Sequence, residues 1–359
     1  MVGPTAGHVY PALAIADAYR AAHPGADVRF AGPRAGPAAR LLAARGLTLE
    51  PVAGSQLVNV GLAGQLAAAP RVLAGMAQAQ RLLRAHGSRL VLGLGGYASG
   101  AVLLAARALG ARVAIHEANV TPGLANRLLA PFVHRVYLGT TAAAPAFPAA
   151  RRVVTGHPVR AEIAALAAES RTPPAPHRAA RVLLLSGTRG AAFLADRAPG
   201  LLAGVERRGV AVEALHQTGE ARADDVAHAY RRAGVKATVV SYLEEIASAY
   251  RWADLVVARA GAGTIAETAA AGVPALLVPL ADAAGDHQAA NAAAVAAAGA
   301  GLAAREAEWR SEPLAGRLAV LLGDAAQWSA AAAAARHRAV PDAAARIVAD
   351  CERLMAGRW

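Results

Sequence analysis

The hydrophobic pattern of this chain changes period over and over, and that alternation limits its fold more than any other feature of the sequence. Short β-rich apolar runs are followed by longer stretches of alanine, leucine and arginine. The runs at 27–31, 90–94, 112–116 and 135–138 read as buried strands, and helices are expected at 11–22, 37–45, 70–86 and 99–109. After a proline-rich, linker-like stretch at 170–177 the rhythm begins again. Strands are expected there at 181–186, 210–217, 237–241, 255–258 and 275–279, with helices at 190–208, 221–234, 246–252, 263–271 and 288–298. A last helix, 342–357, follows Pro341. Strands buried on both faces are apolar along their length, and strands that alternate with helices build parallel sheets. The expected class is therefore α/β, and the 359 residues suffice for two parallel α/β domains, each with its own core.

Composition narrows the function. A chain that is 55% hydrophobic is not disordered. The single cysteine, Cys351, excludes a disulfide framework or a thiolate metal site and fits a reducing compartment. No apolar run reaches the roughly 20 residues of a membrane span, and the N-terminus lacks the pattern of a signal peptide. The net charge of +12 is carried by scattered arginines with Lys236 as the one lysine, and only 4% of residues are aromatic. A nucleic-acid surface clusters basic groups and interleaves them with stacking aromatics, so nucleic acid is not expected as a partner. Anionic small ligands or an anionic membrane surface suit this diffuse charge. No His/Asp/Glu group has metal-ligand spacing, so neither a metal nor a cofactor is expected.

Four small-residue turns, at 3–8, 93–100, 186–191 and 259–267, stand where a strand gives way to a helix. Helix N-termini in such turns present free amides to anions at the carboxyl ends of parallel strands. Two turns in each half point to a ligand held between two domains. No strand precedes the first turn, so either the first strand of its domain lies upstream of Met1, which is the expectation here, or the domain starts differently. Nearby lie His116-Glu117-Ala118-Asn119, Gly156-His157-Pro158-Val159-Arg160, and Asp286-His287-Gln288 with Asn291.

These strings, in this order over nearly the whole length, resemble the MurG family, UDP-N-acetylglucosamine transferases that convert lipid I to lipid II in peptidoglycan synthesis. The matching segments are Gly93-Leu-Gly-Gly-Tyr97-Ala-Ser99-Gly100, His116-Glu117-x-Asn119 with Gly123-Leu-x-Asn126, and Arg259-x-Gly261-Ala262-x-Thr264-x-x-Glu267. Gly272-Val-Pro274, Val278-Pro279-Leu280 and Asp286-His287-Gln288-x-x-Asn291-Ala292 extend the match. The resemblance implies a GT-B fold of two Rossmann-like domains facing a cleft. Residues 1–158 with the returning helix at 341–359 would form the acceptor side, and 159–340 the UDP-sugar side.

The resemblance also implies roles. Glu267 would accept hydrogen bonds from the ribose hydroxyls, and the segment Ala262, Gly263, Thr264, Ile265 and Ala266 ahead of it would face the diphosphate. The backbone of Leu243 would read the uracil edge, Thr188 would contact phosphate or sugar, and Gln288 would hold the N-acetylglucosamine hydroxyls. Arg160 would grip the diphosphate from the hinge. On the acceptor side Thr5, Ala6, Gly7 and Asn119 would bind substrate. His8 is the first choice for the base that takes the acceptor proton and Glu117 the second, whereas His116 reads as structural.

The expected enzyme is an inverting hexosyltransferase, peripheral on the cytoplasmic face of the bacterial membrane, with UDP-N-acetylglucosamine and undecaprenyl-linked lipid I as substrates. The leucines, Met76, Arg71 and Arg81 of 62–83 form either an interfacial patch with a basic rim or a helix packed on the sheet. The chain departs from the family's Gly-Gly-Thr-Gly-Gly-His turn in Gly3-Pro4-Thr5-Ala6-Gly7-His8. Ser186 replaces a glycine, His157 an asparagine, and the loop after Val52 lacks basic residues. A glycosyltransferase with another acceptor, or a weakened paralogue that only binds UDP-sugar, are the alternatives.

Overall fold

A computed structural model describes residues 6–53, 62–186, 191–219, 222–281 and 283–357. The chain divides into two compact units, one of Met1–Arg160 with Asp342–Trp359 and one of Ala161–Pro341.

The first unit runs α1 (Ala6–Ala22), β1 (Phe30–Gly32), α2 (Pro37–Ala43), β2 (Leu49–Pro51), α3 (Leu62–Ala85), β3 (Leu90–Gly93), α4 (Tyr97–Ala108), β4 (Arg112–Glu117), α5 (Leu124–Leu129), β5 (Arg135–Leu138) and β6 (Arg152–Val154). Its strands form a parallel pair, β1-β2, and a parallel four-stranded sheet, β3-β4-β5-β6. Val113, Ile115, Val136 and Leu138 meet Val102, Leu103 and Ala106 of α4 in one core layer. Ala114 and Tyr137 turn to the other layer, against Val9 and Leu13 of α1.

The second unit runs α6 (Ala161–Ala164), β7 (Ala180–Leu185), α7 (Ala191–Glu206), β8 (Val212–Gln217), α8 (Ala223–Ala233), β9 (Lys236–Val240), α9 (Ile246–Trp252), β10 (Leu255–Ala258), α10 (Ala262–Ala271), β11 (Ala275–Leu277), α11 (His287–Ala297), β12 (Gly301–Ala303), α12 (Ser311–Gly323) and α13 (Ala325–His337). Its parallel sheet has the order β12-β11-β10-β7-β8-β9. From β7 the chain builds outward to β9, then returns to β10 on the other side of β7. The order therefore reverses between β7 and β10, and such a switch point opens a crevice at the carboxyl ends of the strands. Val182, Leu184, Val257 and Leu276 bury one face against α7, α12 and α13.

The chain then returns to the first unit as α14 (Ala343–Met355), which packs Ile347, Val348 and Cys351 beside α1. Arg135 donates to Asp350 at 3.1 Å, both buried, and Tyr137 Oη lies 3.4 Å from Cys351 Sγ. Burial pushes the Cys351 thiol up to about 11, which makes it an inert packing group.

Several elements differ from the sequence reading. α1 begins five residues before Pro11 and α3 eight before Pro70, because both helices run through a proline expected to start them. The short strands β2, β6 and β12, the helices α5 and α6, and the pair α12 and α13 were not anticipated. The 170–177 stretch joins no domains; it lies inside the second unit, ahead of β7. Among the described residues, no single helix is long and apolar enough to cross a membrane.

Candidate active site

In the second unit the sequence-predicted residues gather along one edge. Leu243 follows β9, Gly261 to Glu267 follow β10, and Gln288 lies in the first turn of α11, the helix after β11. Because every strand is parallel, these segments leave the sheet on the same side, around the β10/β7 switch. α10 starts at Ala262 with Gly261 as its cap residue and no side-chain cap, so the amides of Ala262, Gly263 and Thr264 have no capping side chain. Ile265 donates its amide to the Gly261 carbonyl, so the three amides before it lie ahead of the first helical hydrogen bond of α10. These residues and Glu267 are half-buried.

Glu267 Oε2 accepts a hydrogen bond from the hydroxyl of buried Tyr250 at 2.9 Å. That contact fixes one carboxylate oxygen and orients the other. Gln288 accepts from the Leu280 amide at 3.0 Å, so any hydrogen bond it gives a ligand comes from its NH2 group. Asn291 donates to the Ala260 carbonyl at 3.1 Å and ties α11 to the turn after β10. Arg259 spends its guanidinium on Glu306 and on the Val278 and Pro279 carbonyls. Thr188 lies outside the described residues, as do Gly187, Arg189 and Gly190.

In the first unit the candidates again follow carboxyl ends: Gly95 after β3, Glu117 and Asn119 at the end of β4, and His157 and Arg160 after β6. His8 stands in the first turn of α1 beside Gly7, and Ala6 opens that helix. Thr5 lies outside the described residues, with the rest of the 1–5 turn and the loop at 54–61. Gly95, at φ 100°, brings its main chain so close to His8 that a Cβ would sit 3.0 Å from Nε2. Any other residue there would push the imidazole away and strain the backbone. Although His8 is partly open to solvent, desolvation holds its imidazole down to about 4, neutral at ordinary pH.

His116 is fully buried and donates from Nε2 to the Gly156 carbonyl at 3.3 Å, and burial holds it too down to about 4. Its ring packs at 5.2 Å from that of His157. His157 is 7% exposed, and among the described residues neither of its ring nitrogens has a hydrogen-bond partner. Burial and the neighbouring His116 and His8 keep it neutral.

Glu117 is 2% exposed and accepts four hydrogen bonds. Oε1 takes the amide and side chain of Asn119 at 2.9 and 3.1 Å, and Oε2 takes the Gly123 amide and the Asn126 side chain at 3.0 and 2.8 Å. The carboxylate thus organises the loop that carries Asn119. Arg160 stacks its guanidinium 4.4 Å from the Tyr10 ring centre, and α1 thereby supplies the platform for the arginine.

Sequence reasoning missed Tyr10, Tyr250, and a buried chain of Ser186, His216 and Tyr230. A signal existed for His216: it alternates with Val212 and Ala214 on the buried face of β8.

The glycosyltransferase family 28 N-terminal domain matches residues 1–138, and the family 28 C-terminal domain matches 181–347. The UDP-N-acetylglucosamine–N-acetylmuramyl-(pentapeptide) pyrophosphoryl-undecaprenol N-acetylglucosamine transferase of Halorhodospira halophila is 42% identical over 99% of this chain and 97% of that protein. The protein of the same name from Nitratidesulfovibrio vulgaris is 39% identical over 96% of this chain and 94% of its own. The crystal structure of Acinetobacter baumannii MurG superposes with a TM-score of 0.80 at 30% identity, covering 98% of each chain.

Proposed function

The chain belongs to glycosyltransferase family 28, with MurG-type relatives over nearly its full length, and from that premise we propose that it transfers N-acetylglucosamine from UDP-N-acetylglucosamine to the muramoyl 4-hydroxyl of lipid I. The fold is GT-B. One observation carries the donor side of the reading. Leu243, the free amides of α10, Glu267 and Gln288 all leave one parallel sheet at its carboxyl edge, around the switch between β7 and β10. A nucleotide diphosphate at that point meets helix N-terminal amides, with a carboxylate one turn further along for the ribose.

The reaction is a single inverting displacement. The acceptor oxygen attacks the anomeric carbon, a new C–O glycosidic bond forms, and the bond from that carbon to the β-phosphate oxygen breaks. UDP leaves with the bonding electrons, and the acceptor proton passes to a base. His8 is assigned as that base by its place in the first turn of α1. Its ring is neutral and so able to take a proton, although desolvation makes it a weaker base than a solvated imidazole. Charge on departing UDP is met by the amides of Ala262, Gly263 and Thr264 at the start of α10. Glu117 holds the Asn119 loop in place. A lipid-linked acceptor puts the enzyme at the inner membrane surface, and a net charge of +12 favours anionic lipids there.

The test is release of UDP from UDP-N-acetylglucosamine in the presence of lipid I, with Glu267→Ala alongside. Turnover that needs lipid I, together with at least a tenfold loss of donor affinity in the variant, is expected; tenfold is about 1.4 kcal/mol, of the order of one lost charged hydrogen bond. Tight binding of the nucleotide sugar without turnover on lipid I would overturn the assignment, and turnover only on a different acceptor would move it to another branch of the family.

A further inference from the structure

Three buried side chains of the second unit form a line that ends where β7 ends, and the mechanism above uses none of them. Ser186 Oγ lies 2.9 Å from His216 Nε2, and His216 Nδ1 lies 3.0 Å from Tyr230 Oη. Ser186 and His216 are wholly buried and Tyr230 is 1% exposed. Burial holds the His216 imidazole down to about 4 and raises the Tyr230 phenol, so at neutral pH both are uncharged. A neutral imidazole donates from one nitrogen and accepts at the other.

Only two arrangements satisfy both contacts. In one, Ser186 donates to Nε2, Nδ1 donates to Tyr230, and the phenol proton is left over. Tyr230 belongs to the apolar core that includes Val226, Val235 and Leu202, and among the described residues His216 is its one hydrogen-bond partner. A buried donor stranded there costs about 1–3 kcal/mol. In the other, Tyr230 donates to Nδ1, Nε2 donates to Ser186, and the proton left over is that of the serine. It then lies at the carboxyl end of β7, beside the switch point where the fold brings a diphosphate. An anion there satisfies the serine proton, and nothing among the described residues satisfies the tyrosine proton.

We propose that Ser186 is a positioning residue for the donor diphosphate, its hydroxyl directed forward out of β7 by the Tyr230–His216 relay when nucleotide is bound. The proposal rests on the donor site assigned above. Glycine is usual at this place in the family the chain resembles, so the end of the relay is a feature of this chain.

The relay is read directly by nitrogen-15 NMR of the full chain labelled at histidine, with His216 assigned by loss of its signals in His216→Gln. Addition of UDP is expected to leave His216 as the Nε2–H form. In kinetics, Ser186→Gly is expected to raise KM for UDP-N-acetylglucosamine about tenfold, the scale of one buried hydrogen bond, with a much smaller change in kcat. Ser186→Thr restores most of that affinity, and Tyr230→Phe shifts the tautomer and raises KM in the same direction. An Nδ1–H form in the UDP complex, or an unchanged KM in Ser186→Gly, overturns the relay while leaving the transferase reading intact. Failure of the unsubstituted chain to bind UDP overturns both.

Discussion

Glu117 accepts four hydrogen bonds, whereas His8 is a neutral ring pressed against the Gly95 main chain, and that difference sets what each substitution does. His8→Ala is expected to lower kcat by about 10²–10⁴, the usual worth of a general base, with donor affinity unchanged by calorimetry. Glu117→Gln exchanges one acceptor oxygen for an NH2 group that faces donors, so it should lower both the melting temperature and kcat. A fall in kcat at unchanged stability would instead return Glu117 to the role of base. The turn at 259–267 was readable from the sequence because its signal is local, a glycine followed by the helix that Ala262 to Thr264 open, while a role for Glu267 came only from the resemblance. Tyr250 and Tyr10 escaped because each acts on a residue far along the chain, Tyr250 reaching 17 positions to Glu267, and no spacing rule links them.

Strands whose own residues carry the apolar run, such as β10 and β5, were legible to the residue. β2, with Glu50 and Pro51 in its three residues, was not, because pairing with β1 rather than composition makes it a strand. The same pair leaves the first unit with an unusual feature. Between β1 and β3 lies a cavity of about 500 Å³, bordered by 28–31 and 88–92, with α1 and α14 residues Ile15, Tyr19 and Val348 and α3 residues Leu82 and Leu83 around it. Among the described residues, neither β1 nor β3 has a strand partner on the side facing the gap. Two open strand edges flanked by apolar helices form a template for one more strand. An Ile-Val-Ile-Val run fused ahead of residue 1 has five residues to reach α1, a normal strand-to-helix connection. It should raise the melting temperature by several degrees, at roughly 2–4 °C per kcal/mol, and slow amide exchange in β1 and β3. A fusion with proline at its second and fourth positions, unable to donate to the ladder, is the control. Equal behaviour of the two fusions would show that the gap does not accept a strand.

Acidification acts on the whole molecule through histidines kept neutral by burial, and it acts unequally on its two units. His116 and His216 stay unprotonated down to about 4, whereas in the unfolded chain each takes a proton near 6.5. Between those values the unfolded chain binds more protons than the folded one, so stability rises with pH across that window and is lost as pH falls through it. At pH 5 each of these two histidines is worth about 2 kcal/mol against folding. The second unit holds one, His216. The first holds His116 together with His8, His134 and His157, all shifted downward with burial as the largest cause. The carboxylates lowered by arginine partners or a helix cap, Glu169, Glu312 and Asp324, act in a more acidic range and lie exposed, where such contacts add little. Lowering the pH from 7.5 to 5 should therefore pull the first unit's thermal transition down much further than the second's and separate two calorimetric peaks. His216→Leu should flatten the response of the second unit alone. Equal displacement of both transitions, or stability level down to pH 5, would mean that these rings are solvated in the folded chain and that His8 meets its acceptor as an ordinary surface histidine.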